Sequence, residues 1–398
     1  MGKRIVVIIF GILCVALLME ACKKETVVSQ VSNNQNNDAG DVLDLPSQPF
    51  NYSNIDFPNY IDSVFKYSDD WNNEPSTNPI TDHGATLGRV LFYDTKLSTN
   101  DQVSCASCHD INHGFSDPNK QSKGVNGLTG RNSMSIVNLR FWAPKGMFWD
   151  MRAKDLEEQV LMPITNHLEM GNSDLASVLV RISKQSYYRQ LFKNAFGSEV
   201  ISSERVAFAL SQFIRSIVSF QSKFDVGQTS NFSNFTNQEK NGMNIFVNQC
   251  SECHGGIPFG GGTKIETRFI SMLNVSFNYK GQFIYGKGGK TNNGLDLVYK
   301  DKGMGETDPS MDGIFKTPML RNIELTAPYM HDGRFSTLEE VIEFYSSNVK
   351  EHPNKGVQIP PGGFNFSTQE KQDLLAFLKT LTDQILSKSA KYNNPFKK

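Results

Sequence analysis

The pentapeptides Cys105-Ala106-Ser107-Cys108-His109 and Cys250-Ser251-Glu252-Cys253-His254 repeat one pattern, Cys-x-x-Cys-His, 145 residues apart. Two such cysteines followed directly by a histidine form the attachment signature of a covalent c-type haem. The thiols bond to the porphyrin edge, and the imidazole turns onto the iron as proximal ligand. With 6 Cys and 7 His in 398 residues, two such pentapeptides are improbable by accident. Two other chemistries use the same residue types. Each Cys pair could close a disulfide or exchange thiols. Four Cys with two His could bind zinc. Zinc sites usually keep their ligand pairs tens of residues apart, and a disulfide leaves the following histidines without a role. The chain is therefore expected to carry two covalently bound haem c groups, through Cys105, Cys108 and His109 and through Cys250, Cys253 and His254. The fold must wrap two porphyrins.

The N-terminus reads as an export signal over residues 1–21. Lys3 and Arg4 precede an apolar run from Ile5 to Met19, and Glu20-Ala21-Cys22 follows. The run is short for a spanning helix and suits a signal peptide. A Cys behind an apolar run and a small residue resembles a bacterial lipobox, which makes Cys22 the lipidated first residue of the mature protein. An uncleaved membrane anchor is the other reading. Cysteine use agrees with export: Cys14 lies in the signal, Cys22 takes the lipid, and the other four lie in the two pentapeptides. The expected location is exported, as a periplasmic or membrane-anchored lipoprotein of a Gram-negative bacterium.

Residues 22–50 are rich in Ser, Asn, Gln and Asp and read as a flexible tether. The remaining length exceeds one typical core. It is divided into 51–230 and 231–398, with Ser230-Asn231-Phe232-Ser233-Asn234 marking the boundary. The net charge of −1 gives no argument for nucleic acid as a partner.

Helical periodicity recurs along the chain. One helix opens at Asp174 with Ser173 or Asp174 as cap. A second runs from Ser203 to Val218 with apolar residues at 206, 210, 213, 214 and 217. A third runs from Thr236 to Val247 into the second Cys pair. Thr337 to Tyr345 is helical, with a Glu at N3 if Ser336 is the cap, and Thr368 to Leu381 closes the chain. Strand signals are few and short, as at Phe283-Ile284-Tyr285. The expected fold is mostly α: two cytochrome c-like haem domains with long loops and few short strands.

Around this frame stand further segments. Leu87-Gly88-Arg89-Val90-Leu91-Phe92-Tyr93-Asp94 precedes the first pentapeptide. Arg131-Asn132-Ser133, Val137-Asn138, Phe148-Trp149-Asp150, Leu156-Glu157-Glu158-Gln159 and Leu168-Glu169-Met170-Gly171 follow it. Lys316-Thr317-Pro318-Met319-Leu320-Arg321-Asn322 and Leu325 to Arg334 follow the second. In this order they resemble the bacterial di-haem cytochrome c peroxidases, including their MauG-like branch, from about Leu87 to Leu381.

The resemblance implies that the first haem reacts with hydrogen peroxide and the second relays electrons from a small donor protein of cytochrome c or cupredoxin type. Glu169 matches the family's acid–base group, and Gln159 and Pro163 match the rest of that wall. Read without the resemblance, Glu169 is a solvated or capping carboxylate and Gln159 a surface amide. Trp149 matches the aromatic residue between the haems; its plain reading is a half-buried core Trp. The family's Phe-Trp-Asp-Gly-Arg reads Phe148-Trp149-Asp150-Met151-Arg152 here.

Two positions bear on the branch. Many members place a second His sixteen residues beyond the proximal one, where this chain has Val125; the nearby His113 is the other candidate ligand. Many use a Met on the second iron, fourteen residues beyond the His of Pro-Tyr-x-His, where this chain has Tyr345. Met319 or Met330 would ligate instead if Tyr345 is a core residue. Asn132, Thr326 and Pro328 match a calcium site of neutral oxygens. The expectation is a peroxidase. The alternatives are a MauG-like oxidase that modifies a partner protein and a di-haem electron carrier.

Overall fold

The computed structural model describes residues 42–58, 72–142, 146–254 and 290–397, with the short strands at 27–28, 276–277 and 283–284. The export signal and Cys22 lie outside the described residues. Helices dominate. In chain order they are α1 (Asp82–Tyr93), α2 (Leu156–Gln159), α3 (Met162–Thr165), α4 (Leu175–Ser183), α5 (Ser186–Phe196) and α6 (Ser203–Ser216), followed by α7 (Lys223–Thr229), α8 (Asn237–Gln249), α9 (Ser251–His254), α10 (Leu338–Glu343) and α11 (Thr368–Lys379). Three antiparallel strand pairs are each two residues long: Val27–Val28 with Ile201–Ser202, Ser276–Phe277 with Phe283–Ile284, and Lys290–Thr291 with Phe315–Lys316.

Side-chain caps fix where these helices start. Asp174 accepts from the Ser177 N–H at 2.8 Å and opens α4. Ser222, Thr236, Thr337 and Ser367 each form a reciprocal capping box, with Asp225, Glu239, Glu340 and Glu370 at N3. The expected Ser336 cap is corrected by one residue. Thr337 is the cap, and the Glu340 carboxylate reaches back to the N–H groups of both Ser336 and Thr337.

Two helix crossings organise the packing. Helix α1 lies against α6 so closely that a Cβ on Gly88 would stand 1.9 Å from the Ala209 carbonyl oxygen. Helix α8 lies against α11 in the same way, with a Cβ on Gly242 falling 1.9 Å from the Asp373 carbonyl oxygen. In each half the helix ahead of the Cys pair crosses a later helix at a glycine, because only a missing side chain allows the backbones so near.

The apolar side chains gather accordingly. One cluster holds the buried faces of α1, α4, α5 and α6. A second holds those of α8, α10 and α11 with Phe224, Phe232 and Phe235. In packing terms the chain passes from one to the other between Ile217 and Phe224, ahead of the Ser- and Asn-rich stretch. The C-terminal tail then returns to the first cluster through Leu386 and Tyr392. The segment read as the end of a tether is fastened there too. Leu43 is buried and bridges Phe396, and the Asp44 N–H donates to the Pro395 carbonyl at 2.7 Å.

Candidate functional site

The first Cys pair brackets a single 3-10 turn, Cys105–Ser107, with Ser104 as N-cap and Cys108 as C-cap. Beyond it the chain reverses through Gly114 at φ 59 and Phe115 at φ 58. The reversal brings the Phe115 carbonyl 3.0 Å from Nδ1 of His109. A carbonyl only accepts, so Nδ1 carries the proton and Nε2 is left as the lone-pair nitrogen a metal takes. Burial pushes the Cys105 and Cys108 thiols up to about 12 and about 11. His113 points elsewhere, with Nδ1 2.9 Å from the Asp110 carboxylate.

The second site repeats the device with different parts. Helix α8 runs directly into Cys250 and α9 carries Cys253 and His254. Nδ1 of His254 lies 3.1 Å from the Pro318 carbonyl. Cys250, Cys253 and His254 line a large, mainly apolar cavity together with Met319, Met330, Tyr345 and Trp149. The four described cysteines are free thiols. Two thiols and an imidazole with its Nδ1 committed, set in an apolar cavity, are the donor set covalent haem needs. The second site fits that group, and the first offers the same two thiols and imidazole.

The two sites differ in what else faces them. Near the first, Phe148, Arg152, Met162, Pro163, Asn166 and Glu169 enclose a small pocket. Glu169 makes no side-chain hydrogen bond among the described residues. Burial raises its carboxyl above the ordinary value near 4.5, opposed only by the Arg152 guanidinium. It lies close enough to raise the Cys105 and Cys108 thiols. Its backbone is clamped: the N–H groups of Val125 and Asn126 donate to the carbonyls of Glu169 and Leu168 at 2.8 and 3.3 Å. Gln159 ends α2, whose cap is Asp155. It does not line the pocket that Pro163 and Glu169 share.

Tyr345 faces the second site. It lies in a π-helical turn, Phe344–Asn348, directly after α10; such turns mark functional positions more often than ordinary helix does. Asn293 Nδ2 donates to its hydroxyl at 3.3 Å and reaches the Met330 sulfur at 3.6 Å. Burial, with the nearby Cys250 and Cys253, holds the phenol well above its usual range. Met319 lines the same cavity and packs against the first cluster.

Trp149 sits on a short loop closed by the Met147 N–H to the Ala153 carbonyl at 2.8 Å. Met151, at the family's Gly position, keeps the left-handed turn at φ 56. The indole N–H donates to the Asn132 carbonyl at 2.8 Å, and the Trp149 carbonyl accepts from the Lys316 N–H at 2.7 Å. Asn132, Thr326 and Pro328 also line the cavity. The Asn132 amide nitrogen donates to the carbonyls of Asp117 and Asn119 at 3.3 and 2.9 Å, which turns its oxygen away from them. Neutral oxygens of this kind suit a hard cation.

Sequence reasoning missed Asn293, the Phe115 and Pro318 carbonyls, and Gln358, whose amide donates to the Cys253 sulfur at 2.8 Å. Lys316 was noted only as part of a segment; the structure buries it beside Trp142.

Known proteins resemble this chain. The family model described as di-haem cytochrome c peroxidase matches residues 82–231. The chain is 33% identical over 320 residues to the methylamine utilization protein MauG of Methylophilus methylotrophus, covering 77% of this chain and 84% of that protein. It is 33% identical over 301 residues to cytochrome c551 peroxidase of Nitrosomonas europaea, covering 75% and 79%. The crystal structure of a MauG-like protein associated with microbial copper homeostasis is 33% identical with a TM-score of 0.72, covering 86% of this chain and 99% of that one. Two attachment sites, their histidines and these relatives lead to one conclusion: the chain belongs to the di-haem cytochrome c peroxidase family, a group of haem c oxidoreductases.

Proposed function

We propose that the protein is an exported di-haem peroxidase that reduces hydrogen peroxide to two waters. Two electrons come from a small cytochrome c or cupredoxin donor and two protons from the solvent. When bound, the haems at His109 and His254 supply redox-active iron; the chain supplies proton handling, orientation and insulation. The Phe115 and Pro318 carbonyls hold each imidazole in the tautomer that frees Nε2. Glu169 is the acid–base group, and it carries the proposal: a desolvated carboxyl without a side-chain hydrogen bond, set beside Cys105 and Cys108. A group moves protons well when its pKa lies toward working pH, and burial moves Glu169 that way. Pro163 adds apolar wall to the Glu169 pocket. Trp149, tied to Asn132 and Lys316, is the electron relay. Gln159 acts only if its side chain turns into the Glu169 pocket. One calcium at Asn132, Thr326 and Pro328 and a lipid on Cys22 complete the proposal.

The test is peroxide turnover by the two-haem protein with a reduced small c-type cytochrome. The reading expects two donors oxidised per peroxide; no donor oxidation would sink it.

A second reading, a MauG-like oxidase acting on a partner protein, is favoured by one observation. Tyr345 occupies the second cavity with its hydroxyl held by Asn293. Peroxide-dependent oxidation of a residue on a co-encoded protein, with donor cytochrome left reduced, would establish it instead.

A further inference from the structure

Lys316 is 5% exposed and lines the cavity that Cys250, Cys253 and His254 share. Among the described residues its ammonium forms no ion pair and no hydrogen bond. Its one interaction there is with a ring: Nζ stands 4.0 Å from the centroid of Trp142. Burial alone pushes the ammonium down to about 7, with no protein group acting against it.

The magnitudes do not balance within the protein. Burying a cation without a counter-charge costs several kcal/mol. A cation–π contact returns about 0.5–2 kcal/mol. The remaining cost calls for an anion facing the same cavity. Among the described residues no carboxylate side chain lines that cavity. The group the cavity receives carries carboxylates of its own, since haem c keeps both propionates after its vinyl groups have reacted.

We propose that Lys316 is the counter-ion of a propionate on the haem held by Cys250, Cys253 and His254. The assignment rests on that haem being attached there. It gives Lys316 a positioning and tuning role. An ammonium on the propionate offsets negative charge near the iron and favours the reduced state. Because the Lys316 N–H also bonds the Trp149 carbonyl at 2.7 Å, the same residue ties the haem edge to the indole loop. The lysine stem packs in apolar surroundings, so Lys316→Met keeps volume and removes only charge, while Lys316→Arg keeps charge.

The experiment is a spectroelectrochemical titration of both haems in wild type, Lys316→Met and Lys316→Arg, with haem attachment checked by peptide mass. In Lys316→Met the second haem should become harder to reduce. Its oxidised-to-reduced ratio at a fixed poise should rise about tenfold, or ~59 mV for one electron. The first haem should be unmoved, and Lys316→Arg should stay near wild type. Unchanged second-haem potential in Lys316→Met with both haems attached would overturn the assignment. So would an equal shift in Lys316→Arg, which would mean packing rather than charge, or a shift confined to the first haem. A Cys250 peptide without haem mass in the wild type would overturn the attachment reading itself, and the Lys316 assignment with it.

Discussion

The Val125 N–H donates to the Glu169 carbonyl at 2.8 Å. The residue sixteen places beyond His109 is thus fastened to the acid that borders the first site. A Cβ on the neighbouring Gly124 would stand 1.9 Å from the Leu168 carbonyl oxygen, so the two segments meet backbone to backbone. The clamp fixes the backbone beside a desolvated carboxyl, and Val125 supplies no imidazole there. It makes the first site unlike the second, where Tyr345 and Met330 face the cavity.

Glu169→Gln keeps size and removes the titrating proton. Loss of a general acid–base group typically costs 10²- to 10⁴-fold. The expected outcome is a fall of about that size in kcat/KM for peroxide, with haem content unchanged. A change below about threefold, against that typical range, would mean that another group moves the proton.

The same substitution should stabilise the fold. Burial raises the Glu169 carboxyl above 4.5. The unfolded chain therefore releases this proton first as pH rises, and stability drains away up to the folded value. Glu169→Gln should unfold at higher urea than wild type at neutral pH, and the advantage should vanish below the ordinary carboxylate range. A variant less stable than wild type at neutral pH would show that the carboxylate is held by favourable contacts.

Arg321 and Asp225 form a bidentate pair at 2.8 and 2.7 Å, with side chains 1% and 3% exposed. Asp225 also completes the capping box of α7. Asp225→Ala removes the bidentate carboxylate from a buried guanidinium, at a cost of about 3–5 kcal/mol. Urea unfolding should show this as a lower midpoint at similar slope. A loss near 1 kcal/mol would match the cap alone.

Gly88→Ala and Gly242→Ala should each destabilise the protein. Alanine gains about 1 kcal/mol of helix propensity over glycine. Overpacking a tight contact costs about 1–3 kcal/mol, and a 1.9 Å approach to backbone oxygen leaves no flexible atom to yield. Gly130→Ala, whose Cβ would meet nothing within 4 Å, is the control. Thermal unfolding of the three variants decides; equal midpoints would contradict the close crossings.

The attachment motifs, the helical character and the starts of α4, α6, α8 and α11 were legible because each is local. A Cys-x-x-Cys-His needs five residues, and a capping box needs four. The one-residue error at Ser336 arose because Ser336 and Thr337 are both good caps, and only the Glu340 N–H, which donates to the Thr337 hydroxyl at 3.2 Å, chooses between them. What the sequence hid is non-local. The Phe115 carbonyl reaches His109 only through two residues at positive φ. Asn293 meets Tyr345 across 52 residues of chain. Lys316 is one letter of a segment until Trp142 and the cavity surround it. Leu43 reads as part of a polar tether until Phe396 returns to meet it.

The central proposal is that the two attachment motifs serve unlike irons, the first left open for peroxide and the second closed by Tyr345. An electron paramagnetic resonance spectrum of the resting ferric protein with both haems attached tests it most directly. The account predicts one high-spin and one low-spin ferric signal in equal amounts. Two low-spin signals, unaffected by peroxide, would contradict it and leave an electron carrier.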